Sequence, residues 1–449
     1  MLSRFIEEVL IIGLALAAVS LPLASFAGPM TLDDCIAKAL EANPGVLDAR
    51  EALSQAGSGV KEARSGYLPS LSLTGSYNFM EETQTVGFPD PITGRTQEFK
   101  LDFTRDYVFQ VFASQPLYTG GRVASSYRIA KESQEIARTD LTRAKKEIVL
   151  NVVQSFYGLL LAREAVGVAQ EAVETAEEFL RVVKARYETG EASSFEVMRA
   201  EVEVSNLQPV LIAAKNGVAL SELGLKNAMG VSQDTEIEFV GSFEIPEFGV
   251  TLDTALETAL SERPEIKAVT LQKEIAEASL GLAKSGRMPS LSLDLNYDVR
   301  TDEITFDSDE LEDTYAGYLR LSFPLFDGLR TKARISTAMS ELRRADIARR
   351  NLEDAIELEV RAAFLEIEAA EERLRSQEKN VEMAGEGLEI ANERYLQGYA
   401  TNLEVLDSQL ALNTARQNRL QAVHDYNLAI AKLKKAMGTL LEDYVAGAR

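Results

Sequence analysis
The sequence predicts a mainly helical fold with a smaller β component, built as long coiled-coil helical hairpins, each capped by a pair of strands. Three observations lead there. Apolar residues recur at every seventh position from Val152 to Tyr187 and again from Val360 to Tyr395. The strand signal Pro-Ser-Leu-Ser-Leu stands at residues 69–73 and returns at 289–293. The 449 residues include only 12 Pro and no Trp, which leaves long helices uninterrupted.

Composition narrows the function classes. Hydrophobic residues make up 46% and charged residues 26%, the balance of a globular rather than a disordered chain. The net charge of −23, from 47 basic and 70 acidic residues, argues against a nucleic-acid partner held through phosphates. One His and one Cys cannot build a His/Cys metal cluster, a Cys pair or a choice of catalytic triads. The expectation is no enzyme, no cofactor and no metal. His424 reads as a structural or surface residue of a helix, and Cys35 as a packed thiol that supports neither catalysis nor an acyl anchor.

Along the chain, residues 1–27 come first. Arg4, an apolar run from Val9 to Leu23 and the end Ser25-Phe26-Ala27 read as a secretory signal peptide cut after Ala27, although Glu7 and Glu8 make its charged region atypical. An uncleaved transmembrane helix is the competing reading; no later stretch approaches 18 consecutive apolar residues.

A duplication follows. TLDDCIAKALEANP at 31–44 overlies TLDTALETALSERP at 251–264, an offset of 220 (31 to 251) that holds through both strand signals. QPLYTGGR at 115–122 overlies FPLFDGLR at 323–330, RYETG at 186–190 overlies RYLQG at 394–398, and AMG at 228–230 overlies AMG at 436–438, all at an offset of 208 (186 to 394). Two structural repeats result, 28–250 and 251–449. The first carries 12 extra residues (220 less 208) between Asn78 and Gln115, in a Gly/Pro/Thr-rich stretch that reads as a loop.

Each repeat opens with a helix, 31–65 and 251–286, bent at Pro44 and Pro264. The period then changes to two. Leu71, Leu73, Tyr77 and Phe79 alternate with Ser70, Ser72, Thr74, Ser76 and Asn78, and Leu291, Leu293, Leu295, Tyr297 and Val299 alternate with Ser290, Ser292, Asp294, Asn296 and Asp298. Return strands run over 107–115 and through Tyr315, Leu319, Leu321 and Phe323, ended by Pro116 and Pro324. Gly120-Gly121 and Asp327-Gly328 turn the chain into the longest helices; the first, from 121 to 186, would be about 100 Å long at ~1.5 Å per residue. Second helices return over 194–229 and 403–437, with Ala415, Ala422, Ala429 and Ala436 allowing close approach.

The alternating strands fit a soluble sheet with one wet face, or membrane strands with Leu, Tyr and Phe toward lipid and Ser, Asn and Asp toward water. Export, near-spanning length and aromatics at the strand ends favour the membrane. Four strands cannot close a barrel, and lipid offers no partner to an open edge. Two chains would give a barrel too narrow for a pore, whereas three would give twelve strands around a channel.

The proline-led strands, the PLY-x-GG and PLF-x-G turns, the RY-xx-G turns and the duplication together resemble the TolC-type outer-membrane efflux channel family over nearly the whole mature chain. That resemblance implies a homotrimer with a 12-stranded β-barrel in outer-membrane lipid and, beneath it, an α-barrel tunnel crossing the periplasm. Residues 231–250 and 438–449 would join an equatorial region. The implied function is a passive exit duct of a tripartite efflux or type I secretion system, working with a periplasmic adaptor (membrane fusion protein) and an inner-membrane transporter.

In such channels the helix-to-helix turns, here 186–201 and 394–409, form the periplasmic tip. By resemblance, Tyr395, Glu404, Asp407 and Glu196 are gate residues, with Glu196 the partner of Tyr395, and Arg186, Tyr187, Gly190, Arg394 and Gly398 belong to adaptor-docking turns. Glu404 and Asp407 share one helix face at i and i+3, so three chains would ring six carboxylates around the axis; the alternative is an ordinary solvated face. Arg199 replaces the second acid in the first repeat, and Ala400 stands where the family's gate can carry Arg. The rival readings are an exported soluble coiled-coil scaffold and a periplasmic adaptor, which normally has a single hairpin. A hydrolase has no constellation to support it.

Overall fold
A computed structural model describes residues 29–79, 84–89, 91–101, 105–246, 248–301 and 312–446; the expected signal peptide at 1–27 and the last residues, 447–449, lie outside them. The elements in order are α1 (Leu32–Ala42), α2 (Pro44–Ser65), β1 (Ser70–Phe79), β2 (Gln84–Pro89), β3 (Thr96–Leu101), β4 (Arg105–Tyr118), α3 (Arg122–Glu188), α4 (Ser194–Met229), α5 (Leu252–Glu262), α6 (Pro264–Ser285), β5 (Ser290–Thr301), β6 (Glu312–Ser322), α7 (Arg330–Leu396), α8 (Asn402–Met437) and α9 (Leu440–Ala446).

Pro44 and Pro264 do more than bend a helix. Each begins a new one at its first position, where a missing N–H costs nothing. Asn43 caps α2 by accepting from Gly45 N at 2.8 Å, and its Nδ2 donates to Ala228 O at 2.8 Å, fixing α1 and α2 to the end of α4. Its counterpart Arg263 makes no cap and instead pairs with Glu265 at 3.2 Å and with Glu359 of α7.

β1, β4, β5 and β6 form one antiparallel sheet in that order. Register puts Leu73 beside Val111, Leu293 beside Leu319 and Tyr297 beside Tyr315, so the apolar sets share one face, where Leu71 is 75% and Leu321 69% exposed. On the opposite face Asp294 is nearly buried, accepting from Ser114 Oγ at 2.6 Å and Arg320 Nε at 3.0 Å. Two expectations need correction. The stretch read as a loop holds the β2–β3 hairpin, paired from Gln84↔Leu101 to Pro89↔Thr96. Pro116 does not end its strand; β4 runs to Tyr118 through an irregularity between Pro116 and Tyr118, which accommodates the missing N–H.

α3 and α7 have 67 residues each, about 100 Å at ~1.5 Å per residue, and α4 and α8 have 36 each. The heptad residues Val152, Leu159 and Val173, and Val360, Ile367, Leu374 and Leu388, are buried. So are Ala415, Ala422, Ala429 and Ala436, the small residues that let α8 close on its neighbours. Among the described residues α3 holds one window apolar enough to cross a membrane. Its apolar centre, Val149, Val152, Val153, Phe156 and Leu159, is packed in a protein core with α1 and Phe239.

The described residues of 231–250 form no helix or strand, yet they are held in place. Met30 and Phe239 form a parallel bridge, Phe243 stacks on Tyr157 with centroids 5.9 Å apart, and Phe248 meets Phe364 at 6.0 Å. Phe156 and Phe364 occupy equivalent positions at the middle of α3 and α7, so this segment crosses both long helices near their midpoints. Near the C-terminus α9 is helical: it buries Leu440, and Glu442 pairs with Lys146 of α3 at 3.3 Å.

Candidate functional site
The site is the paired helix-to-helix turn. At the end of α3, Gly190 takes φ 81° and Gly398 takes φ 79° at the end of α7, left-handed values that glycine adopts without strain. The same closing bonds form twice: Gly190 N donates to Tyr187 O and Glu191 N to Arg186 O, as Gly398 N does to Tyr395 O and Tyr399 N to Arg394 O. This pairing of bonds satisfies the last carbonyls of each helix.

The next helices start with matched capping boxes. Ser193 Oγ accepts from Glu196 N while Glu196 Oε1 accepts from Ser193 N; Thr401 and Glu404 repeat the arrangement. Glu404 therefore works first as a local helix-start residue. Asp407 is exposed on the same face of α8.

The two turns differ in what they bury. Tyr395 is only 4% exposed and donates its hydroxyl to Glu196 Oε2 at 3.2 Å. Arg186, expected on the docking surface, lies inside this contact: its Nη1 donates to Tyr395 O, and its guanidinium sits 4.8 Å from the Tyr395 ring centroid. Phe179 packs on the same ring at 5.2 Å, and Asn402 Nδ2 donates to Glu196 O at 3.2 Å. Burial, the charge of Glu196 and the hydroxyl's bond to it push the Tyr395 phenol up to about 12. Its counterpart Tyr187 is 50% exposed, although the heptad places both alike. Arg394 is exposed and donates to Tyr399 O at 3.4 Å within its own turn. Arg199, in place of a second acid, lies 5.9 Å from the Phe195 ring centroid.

The contact between Tyr395 and Glu196 is the one that the resemblance implied, whereas Phe179 and Asn402 were missed, because their contacts depend on how the two hairpins dock. The only signal for them was apolar spacing along α3 and a polar residue at the start of α8. Away from the tip, His424 Nδ1 lies 3.1 Å from Asp425 Oδ1, and Cys35 is fully buried with its thiol pushed up to about 12, chiefly by that burial. Among the described residues no cluster of His, Cys, Asp and Glu could hold a metal ion.

A sheet with an exposed apolar face, whose edge strands β1 and β6 each pair on one side only among the described residues, continued by helices about 100 Å long, has the form of a membrane channel with a long tunnel beneath it. The chain belongs to the outer membrane efflux protein family, whose match spans residues 35–231 and 255–439. It is 25% identical to an outer membrane protein TolC of Vibrio cholerae over 91% of this chain and 90% of that one. It is 22% identical to the outer membrane efflux protein BepC of Brucella suis, over 92% and 86%. The fold matches the crystal structure of the outer membrane protein VceC from Vibrio cholerae with a TM-score of 0.75 at 18% identity, covering 91% of this chain and 96% of that one. The protein is an outer-membrane efflux channel whose helices form a periplasmic tunnel.

Proposed function
We propose that three copies of this chain complete a 12-stranded barrel and a helical tunnel, a passive duct that opens when an adaptor and an inner-membrane transporter engage its tip. One observation carries the reading: β1 and β6 are open edges of a sheet whose apolar face is exposed. In lipid those edge N–H and C=O groups have no partner, so β6 of one copy must pair with β1 of the next. The duplicated units are 28–250 and 251–449, with 231–250 and 438–449 as a belt around the tunnel. The two-segment family match, 35–231 and 255–439, supports that division.

The tip is the gate. Tyr395, Glu196 and Arg186 hold one hairpin against the other, and Glu404 and Asp407 add six carboxylates around the axis of a trimer, favouring cations. The turns that carry Tyr187, Gly190, Arg394 and Gly398 present the adaptor-docking surface through their outer residues. Ala400 leaves this gate without an arginine after the turn glycine, and Arg186 takes the cationic part. Movement of the hairpins would open the pore, with energy supplied by the partner.

Planar-bilayer conductance tests this. The unmodified protein should conduct with cation preference, and Glu404→Ala with Asp407→Ala should reduce that preference. Silent bilayers for both proteins reject the duct; an unchanged preference rejects the carboxylate ring.

A further inference from the structure
α3 and α4 map onto α7 and α8 at an offset of 208 (Arg122 to Arg330), with equal helix lengths. The buried tip contact joins Arg186 and Glu196 of the first repeat to Tyr395 of the second. Carried across the offset, those residues become Arg394, Glu404 and Tyr187, the same three residue types. In one chain this second set is not assembled. Tyr187 is half exposed, and among the described residues nothing bonds Glu404 Oε2, the oxygen equivalent to the one that receives the Tyr395 hydroxyl on Glu196.

The helix flanks agree. Within the chain α3 lies against α8, joined by an ion pair between Glu171 and Arg416 at 2.5 Å. The equivalent flanks, α7 and α4, carry exposed Leu365, Ile390 and Leu396 on one and Phe195, Val202 and Ile212 on the other. The Glu171–Arg416 pair becomes Lys379 and Gln208, an ammonium donor facing an amide that can accept. One difference stands out: Phe179, which packs on the Tyr395 ring, becomes Gly387, beside which a Cβ would meet nothing within 4 Å.

We propose that Tyr187 of one chain docks between Arg394 and Glu404 of a second copy, donating its hydroxyl to Glu404, and that this seat between chains is the weaker of the two because Gly387 offers the ring no packing partner. It rests on the ring of copies proposed above. The phenol would use one oxygen of the Glu404 carboxylate, so the contact and the acidic ring coexist. Opening of the tip then begins between chains.

Cross-linking tests the contact without relying on conduction. Cys35→Ala removes the native thiol, and Ala255 already occupies the equivalent site in the second repeat. In that background Tyr187→Cys with Glu404→Cys, treated as a native assembly with a short bismaleimide, should give linked dimers and trimers on a denaturing gel. Tyr395→Cys with Glu196→Cys should link within single chains only. Single-chain products alone from the first pair, while the second pair reacts, overturn the proposal. A ladder ending at a number other than three keeps the contact and refutes the trimer. As a second variant, Tyr187→Phe keeps the ring and loses the donor; it should raise basal bilayer current several-fold, and an unchanged current overturns the latch. If the unmodified protein does not conduct, the duct fails while the cross-linking still reads the contact.

Discussion

Tyr395 shows how a single side chain acquires a role from its surroundings. Its phenol, ordinarily titrating near 10, is pushed up to about 12 by burial first and then by Glu196. Because the folded value lies above the unfolded one, the contact is fully present below pH 10 and is lost as the pH rises through about 12. Burial also raises the Tyr157 phenol, so ultraviolet titration should find a late-ionising tyrosine fraction that includes Tyr395, and Glu196→Gln should lower the Tyr395 part of it while Tyr395→Phe removes that part. Tyr395→Phe removes a bond to a carboxylate, which costs about 1.5–3 kcal/mol, and should raise basal current roughly tenfold or more. At the turns, Gly398→Ala meets no atom and bears only backbone strain, about 1 kcal/mol. Gly230→Ala would place a Cβ 2.7 Å from Asn43 Cα and should cost distinctly more, as thermal unfolding of the two variants would reveal.

At the scale of elements, the heptads and caps explain where helices begin, end and touch. Ile367 is buried in the seam between α7 and its neighbours, so Ile367→Ala should destabilise by about 2–4 kcal/mol. Ala429 is fully enclosed where α8 packs closely; Ala429→Leu overfills that space and should cost about 1–3 kcal/mol. Denaturant melts would separate these from a neutral exchange such as Leu403→Met on an exposed position. The long helices were legible because a seven-residue repeat and capping boxes are local signals. Strand β4 was read too short, since Pro116 removes a donor but an irregularity lets the ladder continue past it. The β2–β3 hairpin was read as loop because its Gly, Pro and Thr favour turns, whereas pairing between its two arms decided the outcome.

For the whole molecule, the decisive surface is the exposed apolar face of β1 and β6. Leu73→Arg puts a charge on that face, 72% exposed in the single chain, and should impair insertion into liposomes by about 2–4 kcal/mol. Ser72→Arg, on the opposite face, should insert nearly as well as the unmodified protein, and equal losses for the two would contradict a lipid-facing sheet. The same scale explains why Tyr187 and Tyr395, matched in sequence, differ in burial: one chain supplies neighbours for only one of the two tips.

From the sequence alone came the duplication, the helix and strand periods and the turn glycines, all written in residue order and spacing; the pairing of Tyr395 with Glu196 was implied only by the family resemblance. Tertiary structure decided that Arg186 and Phe179 close around that tyrosine, that 231–250 spans the midpoints of both long helices, and that β4 lies beside β5. Those depend on how hairpins distant in sequence dock and on which backbone groups find partners, and no local propensity encodes that geometry.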